Sequence, residues 1–394
     1  MPARFPDLPD AALADALADL AAAGLDPAWP GPRDRAALSA STGWTGPHLA
    51  EAVRRAFAPF TPAACRRLVA MGRPSPAVSA PRALLAILAG RVPAVVSAAL
   101  FQGLAARHAV VLKPPAVEPV FARLLVALVA RAAPSLAGTV RLLDLPSSDP
   151  SLLAEVRDAP AVLAYGSDAT IAAIREARPG RPTIVGGHRE SAVLLFRDAL
   201  ERPGAAVRLA RAIARDAAIY DQSGCLSPHV VLVEDGAPVS PAGFARLLAL
   251  SLVLAERDLP PGPVPLPAAA MVRLFLEESR LLARSASGLV LPPSGPVPPA
   301  VVLLPGLPAR AAPGWRVLQV VPFRGTPDLS ALLPGLSGHL QGLAVAGDRR
   351  RLAAALSRAP DIVPCHLCAP GRLQSPPAAW PENGVRVVRT LAGR

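Results

Sequence analysis

At 394 residues the chain is long enough for two domains with separate cores, and a 52% hydrophobic, 4% aromatic composition fits a soluble α/β protein without the signature of disorder. The formal charge of +12 is spread along the chain and contains no dense basic run with interleaved aromatics. That argues against a nucleic-acid surface and is compatible with steering of anionic small molecules.

Residues 8–75 read as several short helices, with Ala11–Ala23 rich in Ala and Leu and Pro47–Phe57 amphipathic, so 1–75 is expected to form a helical N-terminal layer. From about residue 84 strands and helices alternate. Val110–Leu112, Val140–Leu145, Ala161–Tyr165 and Thr183–Val185 read as strands, and Pro119–Ala133, Ser151–Val156 and a helix beginning at Ala169–Arg175 lie between them. Such spacing predicts βαβ units and a parallel sheet over 76–190.

A second α/β region is expected over 191–375. It holds the helix Pro203–Ala218, a loop with Cys225, the strand Val230–Glu234 and the helices Pro241–Arg257 and Ala268–Ala283. Pro260–Pro267 and Pro292–Pro299 read as proline-rich loops. Val301–Leu304, Val317–Pro322 and Gly342–Ala346 read as strands, and Arg349–Ser357 as a helix. In the tail, 376–394, a turn at Trp380–Gly384 is expected to lead into a last strand, Val385–Val388.

Four cysteines do not make a disulfide framework, and Met1–Asp7 has no apolar signal stretch. Arg91, Arg123 and Arg131 break the longest apolar runs, so no transmembrane helix is expected and a cytoplasmic location is.

Lys113 is the only lysine among 41 basic residues. It ends an apolar run, where a slim ammonium fits beside a ribose or phosphate and a wide guanidinium does not; chance survival of one lysine is the alternative. Cys225, within Tyr220-Asp221-Gln222-Ser223-Gly224-Cys225-Leu226-Ser227-Pro228, lies in an exposed turn between a helix and a strand. It reads as a thiolate nucleophile or as a structural cysteine. Gly166-Ser167 is a strand-to-helix turn suited to pyrophosphate or ribose, or an ordinary capped turn. Gly186-Gly187 allows close backbone approach to a ligand, or is a plain turn. Cys365-His366-Leu367-Cys368 lacks a second ligand pair, so no metal site is expected.

Together these segments resemble the aldehyde dehydrogenase superfamily over about residues 80–390. More closely they resemble its LuxC-like branch, the acyl-CoA reductases of bacterial bioluminescence. Lys113-Pro114-Pro115 is similar to the superfamily's Lys-Pro motif, Gly166-Ser167 to its pyrophosphate turn and Gly186-Gly187 to its double glycine. Asp221–Pro228 is similar to the branch's nucleophile segment. Leu340–Leu343, Gly371 to Gln374 and Trp380–Gly384 are similar to its later segments.

The resemblance implies a Rossmann-type NADP-binding domain, a catalytic domain carrying Cys225, and reduction of a long-chain acyl thioester to an aldehyde by NADPH. The donor would be acyl-CoA or an acyl-protein thioester, with an acyl-protein synthetase as partner and a homo-oligomeric assembly. The superfamily's hydrolytic Glu is replaced by Ile184, which favours a reductase. Its oxyanion-hole Asn is replaced by Arg91, and a Glu that binds the nicotinamide ribose is absent from Leu318–Pro322. Ala116 stands where an acidic residue would repel a 2′-phosphate, which favours NADPH, with Glu118 near enough to oppose it. A thioester hydrolase or acyltransferase using Cys225, and a non-catalytic homologue acting in a complex, are the rival readings.

Overall fold

Short runs of Ala, Val, Leu and Ile with no polar alternation bury both faces of a strand, which is how parallel strands covered on two sides read. In the computed structural model, which describes residues 5–75, 82–291 and 299–393, these runs form two parallel-stranded sheets. Each sheet belongs to one of two compact units: Met1–His188 together with Pro376–Arg394, and Arg189–Ser375.

The first unit contains β1 (Ala83–Ile87), β2 (Ala109–Lys113), β3 (Val140–Leu142), β4 (Ala161–Tyr165) and β5 (Thr183–Gly186). They lie in the order β3-β2-β1-β4-β5, all parallel. The winding direction reverses between β1 and β4. A doubly wound sheet takes ligands in the crevice outside the carboxyl ends of its strands at such a point.

The expected helical layer is present as Asp10–Leu25, Pro32–Thr42, Gly46–Phe57 and Pro62–Met71. It packs through Phe57 and Phe60 onto Phe101 of the helix Pro93–Ala105, with the Phe60 and Phe101 rings stacked at 3.9 Å. Prolines open several helices, as expected from the sequence for Pro47, Pro203 and Pro241. Pro32, Pro47, Pro62 and Pro93 stand in first turns, as do Pro203 and Pro241 in the second unit, where no intrahelical N–H is needed.

The second unit contains β6 (Glu190–Leu195), β7 (Pro228–Glu234), β8 (Leu289–Leu291), β9 (Ala300–Leu303), β10 (Val317–Phe323), β11 (Leu340–Ala346) and β12 (His366–Cys368). Their order is β12-β11-β6-β7-β10-β9-β8, parallel except for β8 against β9. The helices Pro203–Ala218 and Pro241–Asp258 cover one face through Ile213, Phe244 and Leu248. The helix Arg349–Arg358 contributes Leu352 and Ala355 to the other. Among the described residues no helix is long and apolar enough to cross a membrane.

The tail departs from expectation. Val385–Val388 is not a strand; a turn at Glu382–Val385 leads into a helix, Val387–Leu391. The valines favour a strand by propensity, but Val387, Val388 and Leu391 are all buried on one helical stripe, and that packing decides. Cys365–Cys368 likewise supplies a strand, β12, paired with β11. Residues 292–298 of the expected proline-rich loop lie outside the described residues.

Candidate active site

Cys225 sits one turn before β7, at the amino edge of the second sheet. Ser227 N donates to Gly224 O at 2.9 Å, making Cys225 and Leu226 the centre of a four-residue turn. The thiol residue is half-buried and forms no disulfide. The turn is held from two sides. Ser191 Oγ on β6 donates to the Cys225 carbonyl at 2.8 Å, and Gln374 Nε2 donates to Ser227 Oγ at 2.9 Å. Gln374 is aligned by Asp216, whose carboxylate accepts from Gly371 N and Leu373 N, while its carbonyl accepts from Gln374 Nε2 at 3.3 Å. The Gly371–Gln374 segment, distant in sequence, therefore buttresses the Cys225 turn.

The chain enters this turn in an unusual conformation. Tyr220, Asp221 and Gln222 have φ of 58°, 50° and 60°, three consecutive non-glycine residues in the left-handed region. Each such residue costs ~1–3 kcal/mol and persists only where its surroundings over-determine it. Here they do. Gln222 Nε2 donates to Pro228 O at 2.7 Å and to Val317 O at 3.0 Å, tying the run to the starts of β7 and β10. Asp221 Oδ1 accepts from Arg316 Nε at 2.9 Å and Nη2 at 2.6 Å, and Asp221 Oδ2 accepts from Gly262 N at 3.1 Å.

In the first unit, Lys113 ends β2 as expected. Its side chain is 3% exposed, and Nζ donates to Ser147 Oγ at 2.7 Å. Among the described residues it forms no ion pair, and burial lowers the ammonium below its ordinary range. A buried cation beside a neutral hydroxyl, at the carboxyl end of β2, is suited to an anionic or hydroxylated ligand.

Ala116 is exposed and contributes no charge. Glu118 does not swing toward this end of the sheet. Its Oε1 accepts from Val120 N at 2.9 Å, Phe121 N at 3.0 Å and Ser41 Oγ at 3.1 Å, capping the helix Val120–Ala132.

Gly166 follows β4, and Ser167 caps the helix Asp168–Glu176 by accepting from Thr170 N at 3.2 Å. Gly166 N donates to Gly186 O at 3.2 Å, so the Gly-Ser turn and the double glycine are adjacent. A Cβ on Gly187 would stand 2.1 Å from Asp168 Oδ1, and one on Gly186 would stand 2.3 Å from Asn383 Nδ2. Both glycines thus lie close against the polar ends of neighbouring side chains at this strand edge. Ile184 is a buried residue of β5 and brings no carboxylate.

Arg91 lies in the loop before the helix Pro93–Ala105, with Nη1 donating to Thr42 O at 3.3 Å. It belongs to the first unit and Cys225 to the second.

Sequence reasoning did not single out Ser147, Asp216, Arg316, Tyr165 or Glu382. Tyr165, the last residue of β4, acts on Glu382, a carboxyl pushed up to about 7 by burial against the opposing effect of the phenol. Glu382 starts the tail turn, whose central residues Asn383 and Gly384 both have positive φ, 51° and 78°, as a type I′ turn requires. His366 Nε2 bonds Arg372 O, and burial pushes the Cys368 thiol up to about 12, so these two residues of the Cys365–Cys368 motif are committed to structure.

Compared with known proteins, residues 74–292 match the acyl-CoA reductase (LuxC) family. No curated protein matches the sequence. Among solved structures, a salicylaldehyde dehydrogenase from Pseudomonas putida G7 complexed with salicylaldehyde is similar, with 15% identity, 98% of this chain and 82% of that chain covered, and a TM-score of 0.69. A succinic semialdehyde dehydrogenase from Streptococcus pyogenes in complex with NADP+ gives 15%, 93%, 82% and 0.66 for the same quantities. An NAD-dependent aldehyde dehydrogenase from Sinorhizobium meliloti gives 15%, 93%, 75% and 0.68. At these identities the likeness is one of fold, and the fold is aldehyde dehydrogenase-like.

Proposed function

The chain belongs to the acyl-CoA reductase (LuxC) family, and from that premise we propose that it reduces an acyl thioester to an aldehyde with NADPH through an S-acyl intermediate on Cys225. The observation that carries this reading is the Cys225 turn itself: a half-buried thiol on a tight turn, fixed by Ser191 and Gln374. Such pre-positioning suits a nucleophile.

The Cys225 thiolate attacks the thioester carbonyl. The negative charge that develops on oxygen is met by the backbone N–H of Cys225. The carbon–sulfur bond to the carrier breaks and the carrier thiolate leaves. Lys113, Ser147, Gly166, Ser167, Gly186 and Gly187 are the residues that would hold NADPH, with Ala116 leaving room for the 2′-phosphate. When bound, the cofactor supplies hydride to the acyl carbon. Once that carbon is reduced, cleavage of its bond to Sγ releases the aldehyde and returns the thiolate. Ile184 offers no base for water, which favours reduction over hydrolysis. The donor is read as a long-chain thioester of coenzyme A or of a partner acyl-protein synthetase.

The test is a panel of acyl-CoAs of graded chain length with NADPH, following loss of the reduced nicotinamide and trapping aldehyde. Mass spectrometry without cofactor should find the acyl group on Cys225, and Cys225→Ala should lose both acylation and aldehyde. No NADPH consumption at any chain length rejects the reading. Free acid in place of aldehyde points to a thioester hydrolase.

A further inference from the structure

Of Tyr220-Asp221-Gln222 none is glycine, and Asp221 alone is of a type that visits the left-handed region, as a single residue and not in a run. The run is imposed from outside, and the largest imposed feature is an ion pair with both side chains 2% exposed, Asp221 with Arg316. Arg316 stands immediately before β10 and is itself left-handed, as is Trp315, with φ of 62° and 58°. Its Nη2 also donates to Leu259 O at 2.9 Å and Ala218 O at 3.3 Å. One guanidinium therefore joins the end of the helix before the nucleophile turn, the left-handed run and the loop after the helix Pro241–Asp258.

A buried ion pair is a weak source of stability, because desolvation consumes most of the Coulomb gain. This one is incompletely satisfied as well: Arg316 Nη1 is buried with no hydrogen-bond partner. A second carboxyl, Glu256, feels both members of the pair, and burial raises it above its ordinary range. A core chosen for stability alone would fill this volume with apolar side chains. Retaining two buried charges against three left-handed residues selects one backbone conformation over its neighbours.

We propose that Asp221 and Arg316 are positioning residues for Cys225, holding the run Tyr220–Gln222 so that the Gly224–Ser227 turn has a single geometry. They act through Gln222, which bonds the start of β7, directly after that turn, and the start of its neighbour β10. The proposal rests on the reading of Cys225 as the nucleophile.

The test is peptide-resolved alkylation by iodoacetamide across the neutral to alkaline range, on the full chain, with Cys368 as an internal reference for the fold. In the wild type Cys225 should react much faster than Cys368, whose thiol is pushed up to about 12. Asp221→Asn, and Arg316→Met combined with Asp221→Leu, should keep the fold. Each should slow Cys225 alkylation by about tenfold or more and shift its pH profile, while Cys368 keeps its slow rate. Arg316→Lys, which keeps the charge without the planar fork, should fall between the wild type and these variants. With thioester and NADPH, kcat should drop while KM for the thioester stays nearly constant.

Unchanged Cys225 reactivity in the folded variants overturns the proposal. So does a fast Cys368 in all of them, which would mean that the pair serves the fold and nothing more specific. If Cys225 is no faster than Cys368 in the wild type, the nucleophile reading itself fails and takes the proposal with it.

Discussion

Tyr165, the last residue of β4, opposes the rise that burial imposes on the carboxyl of Glu382 in the tail turn. Glu382 is 5% exposed, and burial raises its carboxyl from 4.5 to about 7, against the opposing pull of Tyr165. Because the folded value lies above the unfolded one, the stability tied to this proton is complete below about 4.5 and is lost as pH rises through about 7. Glu382→Gln keeps the shape and removes the charge. In urea unfolding over a pH series, it should be the more stable form on the alkaline side, by up to about 3 kcal/mol, and should flatten the pH dependence. Parallel pH curves for the two proteins would contradict this account.

Lys113 should not tolerate its most conservative replacement. Lys113→Arg puts a wide fork where a 3% exposed ammonium meets Ser147. Fluorescence titration should find NADPH binding weakened by about tenfold or more, with Cys225 acylation intact. Ser147→Ala should weaken it less. Equal affinity in Lys113→Arg and wild type would mean that the single lysine is an accident of composition.

Charge next to the 2′-position should set cofactor choice. Ala116→Asp is expected to move the preference toward NADH by roughly tenfold, through repulsion of the 2′-phosphate. Glu118→Gln should leave the preference alone and cost about 1 kcal/mol of stability, because that carboxylate caps a helix and accepts from Ser41. Competition assays with both nucleotides separate the two effects.

Gly187→Ala drives a methyl group into Asp168 Oδ1. Asp168 is exposed and its end can turn away, giving up the bond from His188 N, so a loss of no more than about 1 kcal/mol in thermal or urea unfolding is expected. Shortening the obstacle in the double variant Gly187→Ala with Asp168→Ala should recover part of it. No recovery would place the cost in the backbone.

Most strands were legible where unbroken apolar runs stood between helical periods, as at Val110–Leu112, Ala161–Tyr165 and Val317–Pro322, but Ala83–Ile87, Glu190–Leu195 and Leu289–Leu291 were not read as strands. β12 was missed because its residues, Cys365-His366-Leu367-Cys368, drew attention as chemistry, although His366–Cys368 form a strand. The tail helix was missed because valine reads as strand until its burial pattern is known. Lys113, the Gly-Ser turn, the double glycine and Cys225 announce themselves by residue type in a local context. The groups that hold them do not. Arg316 lies 95 residues from Asp221, and Gln374 lies 147 residues from Ser227, with no local pattern marking either. Asp221 could be noticed only as part of a motif, and its buried partner only in three dimensions.

The first unit is discontinuous, with Pro376–Arg394 joining residues that precede Arg189. Ser75 N donates to Ala392 O, and Asn383 packs on Gly186, so the returning segment completes contacts that the earlier part of the chain leaves open. Closing so long a loop is an entropic cost that must be met before those contacts form. A second unit that folds first replaces a flexible loop with a compact body whose ends are fixed. The chain path therefore lets Arg189–Ser375 mature as a contiguous stretch, whereas the edge at Gly186 is complete only once the tail turn has arrived.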